Sequence, residues 1–522
     1  MNNKFKHIFA LTAVSLLALT GCNNGGNKES SEPFNPIKGL DPLDQEFVAE
    51  VEEKIAVVDA EGIYGNIYLP EEIDGAQIIW DSSDKDVINP NWEDDKAPGV
   101  VNRPNNDQSV TLTAYIKKDG KGSKVEQTVT VKAAPEEIAD EDYEGYLFCH
   151  FTGQEGNADH EQIYFALAGQ DQGLKFTDMN NKRPVLRADG LSDEMMALSD
   201  GGVRDPSIYR SAEGDRYFIL ATNLSVYHRG GWSRNNGAEK FTINGKHSIV
   251  FWESHNLYDW SEPKFLEVAR EDAGMAWAPE IIYHEETGEY VIFFSSTIIK
   301  NDDDGSGPYI SERDCIYYTT TRDFVHFGET KKFIGNQPYP EGQEDRQKAQ
   351  DSPKAINNNE RKIIDAAVIK IGDYYYSAAK DGDNHEPGGI LVQRTQNLLD
   401  NDWEPLYHIK DLGLTGAPVT LDNSQLEGPE WFHYNVNDRT NPDVDEIGLM
   451  ADMYMGNQGY LPLSTTDIED SDNSQGSWRL LQKNTDYYFG TQSEGNLIKR
   501  HGSIMRLTLD EIEAIEEHYK NN

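Results

Sequence analysis

Apolar and polar positions alternate from residue 145 onward in a pattern that repeats imperfectly along the chain. Each repeat begins with an apolar strand, a short polar turn and an aromatic-rich strand, as in residues 207–221, 281–295 and 367–379. A second pair of strands follows and closes on an aromatic residue, as in residues 163–176, 249–260, 316–327 and 390–403. Short alternating runs bounded by turn residues predict strands. Two hairpins in each repeat therefore predict a four-stranded sheet.

A repeated four-stranded sheet predicts a β-propeller, in which the sheets are blades about a central axis. Four repeats are clear, and a closing repeat is expected from residues near 430–455 together with the chain ends. Five blades is the most economical number. Helical periodicity is confined to residues 510–520, where Ile512, Ile515 and Tyr519 have helix-like spacing, so a surface helix is expected there.

Residues 45–134 predict a smaller all-β domain ahead of the repeats. Its β-prone runs, residues 76–80, 110–116 and 128–131, are separated by Asp, Gly, Pro and Lys turns. Three segments together resemble the bacterial immunoglobulin-like module: Trp80-Asp81-Ser82-Ser83, Gly99-Val100-Val101-Asn102-Arg103-Pro104 and Val110-Thr111-Leu112-Thr113-Ala114. An immunoglobulin-like β-sandwich that spaces or packs against the next domain is expected. Trp80 either fills its core or binds sugar. The five-bladed domain is expected to cover residues 145–522.

The first 22 residues are expected to be an export signal. Lys4 and Lys6 precede an apolar stretch, residues 8–20, that is too short to span a bilayer as a permanent helix. Leu19-Thr20-Gly21-Cys22 resembles the bacterial lipobox, which implies lipidation of Cys22; an ordinary signal cleaved near Gly21 is the alternative. Residues 23–44 are expected to be a flexible tether. The expected location is the bacterial cell envelope, with the exported chain held by lipid.

The chain is strongly acidic, with a formal charge of −44 from 91 acidic and 47 basic residues. This charge argues against nucleic acid and against basic patches on anionic membranes, so the lipid anchor is the expected membrane contact. Neutral polymers are compatible partners, whereas strongly anionic ones are disfavoured. Cys149 and Cys315 are expected to be buried thiols, with one disulfide between them as the alternative. The sequence sets no oligomeric state.

The candidate chemistry lies in three short acidic segments: Arg204-Asp205-Pro206-Ser207-Ile208, Ile363-Ile364-Asp365-Ala366-Ala367 and Leu426-Glu427-Gly428-Pro429-Glu430-Trp431-Phe432. Each places a carboxylate at the edge of an apolar strand, where its pKa can be tuned. Ends of inner propeller strands converge on the central channel, so Asp205, Asp365 and Glu427 are expected to meet. Glycoside hydrolysis needs two such groups in opposite protonation states. Taken singly, each segment is also compatible with ordinary turn chemistry.

These segments and Trp277-Ala278-Pro279-Glu280 are similar, in order and spacing, to the signature segments of glycoside hydrolase family 43, over about residues 145–507. The resemblance implies a five-bladed propeller and an inverting glycosidase. It implies that Asp205 is the general base that activates water and that Glu427 is the general acid. Asp365 would be the third carboxylate, which orients Glu427 and raises its pKa by like-charge repulsion.

Four further residues are expected to bind substrate. Arg204 adjoins Asp205; Trp277 would stack on a sugar face and Glu280 would bond a hydroxyl, unless both make structural contacts between blades. His501, in Arg500-His501-Gly502-Ser503, resembles the family's late histidine near the axis, which binds substrate, water or a cation. No cofactor is expected to be required. The resemblance leaves room for a structural calcium ion, but Asn301-Asp302-Asp303-Asp304-Gly305 lacks the downstream glutamate of an EF-hand.

The predicted function is removal of terminal arabinofuranosyl, or xylosyl, residues from neutral plant-type polysaccharides or oligosaccharides. The resemblance favours an α-L-arabinofuranosidase. Alternatives within the fold are a β-xylosidase, an endo-arabinanase and a galactan-directed hydrolase. A non-catalytic glycan-binding propeller at the cell surface is an alternative of another class. A retaining fructan-type relative is disfavoured, because its Asn-Asp-Pro segment is replaced here by Arg204-Asp205-Pro206.

Overall fold

The computed structural model describes residues 34–153, 156–232, 238–301, 308–336, 361–382, 389–416, 426–454, 459–490 and 495–520. Strands dominate throughout, so the predicted all-β class is confirmed. Four α-helices occur in this part of the chain: Gln45–Lys54, Asp193–Leu198, Ala238–Ile243 and Leu509–Lys520. None of the helices seen in these ranges is both long and apolar enough to cross a membrane.

The N-terminal part contains a four-stranded antiparallel sheet in the order Glu72–Ile73, Ala76–Ser82, Gln108–Lys118, Lys121–Val131, and a two-stranded sheet of Ile88–Asn89 and Val100–Val101. Trp80 lies in the core of this domain: it is 4% exposed, and its indole N–H donates to the Pro70 carbonyl at 2.9 Å. The helix Gln45–Lys54 was not predicted, because Val51 is its one fully buried residue and its apolar periodicity is weak.

Five four-stranded antiparallel sheets follow within the described residues. We number them 1 to 5 along the chain and name the first strand of each the inner strand. Sheet 1 comprises Arg500–Thr508, Tyr143–Phe151, Tyr164–Ala168 and Thr177–Asp178; sheet 2, Val203–Arg210, Tyr217–Asn223, Ser248–Ser254 and Lys264–Glu267; sheet 3, Trp277–His284, Glu289–Asn301, Pro308–Thr321 and Lys331–Ile334; sheet 4, Ile363–Ile371, Tyr374–Asp381, Gly389–Thr395 and Glu404–His408; sheet 5, Glu427–His433, Ile447–Asp452, Tyr460–Thr465 and Trp478–Leu480. A short parallel pair joins Leu174–Lys175 to Tyr487–Tyr488.

The inner strands contact one another in a closed ring, since that of sheet 5 contacts Arg500–Thr508 and this strand contacts sheet 2. Apolar side chains from neighbouring sheets pack into continuous clusters between them. The prediction of which segments form the closing repeat is wrong. The four strands from Glu427–His433 to Trp478–Leu480 form a complete sheet by themselves, whereas the last strand, Arg500–Thr508, pairs with Tyr143–Phe151 in sheet 1.

Every inner strand carries a β-bulge near its start. At each bulge, three residue-to-residue steps along the inner strand lie opposite two steps along the neighbouring strand of the same sheet. The bulges lie between Arg204 and Ser207, Trp277 and Glu280, Ile364 and Ala367, Glu427 and Glu430, and Arg500 and Ser503. The second bulge residue has positive φ in four of these strands: 49° at Asp205, 45° at Ala278, 54° at Asp365 and 49° at Gly428. Because a bulge re-aims side chains, it turns the same position of each sheet toward the axis.

The N-terminal domain is docked on sheets 2 and 3 through buried arginines. Arg103 forms a bidentate ion pair with Asp215, with N···O distances of 2.9 and 2.6 Å. Asp215 lies in the turn that follows the inner strand of sheet 2. Arg322 donates from Nη1 to the carbonyls of Ile67, Ala97 and Pro98, and from Nη2 to that of Thr287. These turns lie at the far ends of the inner strands from the bulges, so the domain packs away from the convergent carboxylates.

Arg322→Ala should lower the free energy of unfolding by about 2–4 kcal/mol, because it leaves buried carbonyls without a charged donor. Turnover at 25 °C should stay near that of the wild type, since Arg322 is remote from the bulges. Urea denaturation and initial rates measure both effects, with the exposed Arg270→Ala as control. Unchanged stability with lost turnover would contradict this account of the interface.

Candidate active site

The five bulges give corresponding residues of the inner strands, and these residues compose the candidate site. The first bulge positions are Arg204, Trp277, Ile364, Glu427 and Arg500, and the second are Asp205, Ala278, Asp365, Gly428 and His501. The predicted residues Asp205, Asp365, Glu427 and His501 are therefore brought together from four different sheets. Backbone strain at such positions, about 1–2 kcal/mol for each L-residue at positive φ, is typical of functional sites.

His501 lies among the three carboxylates. Its Nδ1 is 3.3 Å from Asp205 Oδ1. Burial opposes its charged form, but the hydrogen bond with Asp205 and the charges of Asp205, Asp365 and Glu427 raise its pKa to about 9. His501 is therefore a cation at neutral pH, and it compensates part of the negative charge of the site.

Asp205 is held as a carboxylate. Burial alone would raise its pKa, but the hydrogen bond and charge of His501, with Arg204 and Thr222, bring it below the usual range. Thr222 Oγ1 donates to Asp205 Oδ2 at 3.0 Å and accepts the Ala278 N–H at 2.7 Å. Asp205 is thus ionised and fixed at both oxygens, as a general base must be.

Asp365 is a poorly solvated acid in the inner strand of sheet 4. Its backbone N–H donates to Ser295 Oγ at 3.0 Å, and the Gly428 N–H points to its Oδ2 at 3.4 Å. Burial, and the charge of Glu427, raise the pKa of Asp365 to about 6 although His501 acts against them. Asp365 therefore takes up a proton at mildly acidic pH.

Glu427 is held between two cations. Lys380 Nζ lies 3.1 Å from its Oε2, and Arg500 Nη2 lies 3.1 Å from its Oε1. Burial raises the pKa of Glu427, but Lys380 and then Arg500 outweigh burial and bring the pKa below its usual value. The prediction that repulsion from Asp365 raises the pKa of Glu427 is wrong, because the two hydrogen-bonded cations dominate its surroundings.

Glycine is required at position 428 for two reasons, the close approach of His501 and the backbone conformation. A Cβ atom at this position would lie 2.4 Å from the His501 ring, and φ is in the left-handed region. The second bulge position of sheet 5 therefore has no side chain, and the preceding residue, Glu427, supplies the carboxylate there.

Two of the predicted substrate-binding residues form one wall beside Asp205. Arg204 Nη1 donates to the buried Glu161 carboxylate at 2.8 Å, and the guanidinium lies over the rings of Phe151 and Trp232, at 4.7 and 5.5 Å. The Trp232 ring also approaches Trp277, with centroids 6.3 Å apart. Trp277 is half-buried, so part of its ring is exposed, whereas Arg204 is 6% exposed. Their contacts with sugar stay predictions.

Glu280 lies at a different level of the axis, in the fourth bulge position. It accepts a hydrogen bond from Ser207 Oγ at 2.6 Å and forms a carboxyl–carboxylate hydrogen bond with Glu430, the corresponding residue of sheet 5. Burial raises the pKa of Glu280 to about 7, and burial together with the charge of Glu280 raises the pKa of Glu430 well above its usual value. The pair lines an axial cavity of about 580 Å³ that also includes Tyr209 and Tyr283. The predicted bond of Glu280 to a sugar hydroxyl stays a prediction.

Sequence reasoning missed the two cations that hold Glu427, Arg500 and Lys380. Arg500 occupies the same bulge position as Glu427 and Arg204, and its Nε bonds the fully buried Asp452 at 2.6 Å. Lys380 is the buried lysine at the end of the apolar run Ser377-Ala378-Ala379. The available signal was a lysine that directly follows the small residues Ala378 and Ala379 of a β-prone run.

Several sequence predictions fall outside the described residues. These are the signal and Cys22, the first part of the tether, and Asp302 to Gly305 of the calcium-like loop. Within the described ranges, no group of three or more His, Cys, Asp or Glu side chains is arranged to hold a metal ion. Cys149 and Cys315 are both buried free thiols.

Two family models match the chain. A family model related to glycoside hydrolase family 43, described as "Probable glycosyl hydrolase domain", matches residues 141–513, more than half of the chain. The chain belongs to this family of glycoside hydrolases. A second model, "Atrophied bacterial Ig domain", matches residues 48–134 of the hydrolase. The predictions of a family-43 type glycosidase and of an immunoglobulin-like domain are confirmed.

Three similar proteins are named for arabinose-directed activities. The hydrolase is 29% identical over 433 residues, 76% of its own length, to an α-L-arabinofuranosidase of Bifidobacterium longum subsp. longum, of which it covers 36%. It thus spans about a third of that relative. Among solved structures, it is similar to an α-L-arabinofuranosidase of Lactobacillus brevis (16% identity, 58% and 90% of the two chains, TM-score 0.34) and to an α-L-arabinanase of Cellvibrio cellulosa (14%, 70% and 99%, TM-score 0.36).

Proposed function

We propose that the hydrolase removes terminal α-L-arabinofuranosyl residues from neutral plant-type polysaccharides or oligosaccharides, with inversion of configuration. The observation that carries this proposal is the convergence of Asp205, Asp365 and Glu427 around the charged His501. The charges around the carboxyls support Asp205 as the base, because His501 holds Asp205 ionised. Lys380 and Arg500 lower the pKa of Glu427, so Glu427 acts as the acid only after it has taken up a proton.

The five sheets are, in this proposal, the blades of a five-bladed β-propeller. The closed ring of inner strand contacts and the bulge shared by all five inner strands support it. The proposed division of the chain is an immunoglobulin-like domain at 45–134 and a catalytic domain at 145–522.

The reaction would be a single displacement. Asp205 accepts a proton from a water molecule, whose oxygen attacks the anomeric carbon from the face opposite the leaving group. The glycosidic carbon–oxygen bond breaks, and Glu427 gives its proton to the departing oxygen. Products are the free sugar and an alcohol; proton exchange with water then restores both carboxyls. These steps require no cofactor.

The sugar is proposed from the relative. The protein of Bifidobacterium longum is named an α-L-arabinofuranosidase, and the chain covers 36% of it. The exposed part of Trp277 offers an apolar surface for one face of a sugar. This surface lies on the side of the general base, because the next residue, Ala278, donates a hydrogen bond to the Thr222 hydroxyl, which also bonds Asp205.

Export and lipid anchoring through Cys22 complete the proposal, since a surface location gives access to polymers that do not enter cells. The sequence Leu19-Thr20-Gly21-Cys22 supports it. Cys22→Ser should release the hydrolase from the membrane fraction, and unchanged sedimentation with membranes would contradict the anchor.

A matched panel of aryl α-L-arabinofuranoside, β-xyloside and β-galactoside tests the function. The arabinofuranoside should have the highest kcat/KM, and Glu427→Gln should be slow on all three. A higher kcat/KM for the xyloside or the galactoside would overturn the assignment of the sugar. Binding of arabino-oligosaccharide without release of sugar would overturn catalysis itself.

A further inference from the structure

We propose that Lys380 is a positioning residue for catalysis: with Arg500 it holds the Glu427 carboxyl in place and controls how readily Glu427 takes up the proton that it delivers. This inference rests on the proposed role of Glu427 as general acid. Nothing in the family comparison assigns a role to Lys380.

The location of Lys380 makes its contact with Glu427 specific. It lies in Tyr374–Asp381, the second strand of sheet 4, and is paired with Ile364, the residue before Asp365. It is 5% exposed, its Nζ lies 3.1 Å from Glu427 Oε2, and it lies over the Tyr454 ring at 4.8 Å. The ammonium group is thus held inside the site, between the strands that carry Asp365 and Glu427.

The two cations on Glu427 differ in how they are held. The Arg500 guanidinium is tied by its Nε to Asp452 at 2.6 Å, and Asp452 also accepts the His501 N–H at 3.2 Å. Lys380 instead ends in a compact ammonium group on a flexible four-carbon chain. Arg500 is therefore anchored by a second buried carboxylate, and Lys380 and Arg500 together keep the Glu427 carboxyl oriented.

The charges facing Glu427 come from neighbouring strands of three sheets. They are Lys380 and Asp365 of sheet 4, Arg500 and His501 of sheet 1, and, behind Arg500, Asp452 of sheet 5. Of the three cations, Lys380 and Arg500 hydrogen-bond Glu427 directly. Removal of Lys380 therefore leaves one direct cation, and the protonated form of Glu427 persists to higher pH.

The consequence is a directional change in the pH profile. A general acid must be protonated, so its ionisation defines the alkaline limb of kcat/KM. An opposite charge within about 4–6 Å lowers a carboxyl pKa by roughly 1–3 units. Lys380→Met should therefore move the alkaline limb upward by about 1 pH unit or more, while kcat at the optimum falls because Glu427 is less well oriented.

The test is the pH dependence of kcat/KM for wild type, Lys380→Met, Lys380→Gln and Lys380→Arg, on an aryl arabinofuranoside. Met and Gln should both shift the limb upward, and Arg, which keeps the charge, should leave it near the wild type. Lys370→Met is the matched control, because it removes one charge from the same sheet but lies beside Glu285 at the far end of the strand. The alkaline limb of the Lys370→Met profile should stay at the wild-type pH.

An unmoved limb in folded Lys380→Met and Lys380→Gln, with only a lower kcat, would overturn the inference and leave Lys380 a structural residue. Thermal unfolding identifies folded variants, and the Gln variant keeps the test open if the Met variant is unstable. Failure of the proposed function is distinguishable: Glu427→Gln would then retain wild-type turnover, whatever the Lys380 variants do.

Discussion

Asp205→Asn and Glu427→Gln should each lower kcat on an aryl arabinofuranoside with a poor leaving group by about 10²–10⁴-fold, the range that general acid–base groups contribute. The amide introduced by Asp205→Asn would keep the Thr222 hydrogen bond but cannot accept the proton of the attacking water. The amide introduced by Glu427→Gln would keep the shape of the acid but has no acidic proton to give. Stopped assays with a slow and a fast leaving group measure both effects.

The leaving group separates the two roles. A highly activated aryl group departs without protonation, so it should rescue much of the activity of Glu427→Gln and little of that of Asp205→Asn. Glu430→Gln is the matched control, since it changes a carboxyl three residues along the same strand and its amide can still bond Glu280. Equal losses in Glu427→Gln and Glu430→Gln would contradict the assignment of the acid.

Arg500→Met should lower the free energy of unfolding by about 3–5 kcal/mol, because removing one partner of a buried ion pair leaves an uncompensated charge. Asp452 is fully buried, and Arg500 Nε is its bonded cation at 2.6 Å. Urea denaturation measures the loss, and Arg394→Met, which breaks an exposed pair with Glu469, should cost about 1 kcal/mol or less.

The loss should also depend on pH. Burial, first, and the charge of Glu427 already raise the pKa of Asp452 against the effect of Arg500, and removal of Arg500 raises it further. A carboxyl whose folded pKa is raised contributes stability at low pH and loses it as pH rises through that pKa. The difference between Arg500→Met and wild type should therefore narrow on acidification. A difference in the free energy of unfolding below about 1 kcal/mol at every pH would contradict this account, because ion pairs of that strength are typical of solvent-exposed side chains.

Much of the fold was predictable because the hairpins are short-range. The short polar turns predicted within residues 207–221, 281–295 and 367–379 do form, at Glu213-Gly214-Asp215, Thr287-Gly288-Glu289 and Gly372-Asp373, between the first and second strands of sheets 2, 3 and 4. The pairing of Arg500–Thr508 with Tyr143–Phe151 was not predictable, since it joins segments about 350 residues apart and has no local turn signal.

The carboxylates of the site were predictable because each lies at the edge of an apolar run and in a segment that resembles a family motif. The pKa of Glu427 was not, because it depends on Lys380, whose distance from Glu427 is a property of two adjacent sheets. The bulge explains why aspartate stands in two of these motifs. Aspartate tolerates the left-handed backbone conformation that turns the side chains of Asp205 and Asp365 toward the axis. The docking of the immunoglobulin-like domain through Arg103 and Arg322 likewise depends on surfaces that meet only after folding.

The central claim, that Asp205 activates water while Glu427 protonates the leaving group, is tested most directly by proton NMR of the first sugar released from an aryl α-L-arabinofuranoside. We predict that the β-anomer appears first and then equilibrates with the α-anomer, because a single displacement inverts the anomeric carbon. First appearance of the α-anomer would contradict the account, since retention requires a carboxylate that attacks the sugar itself.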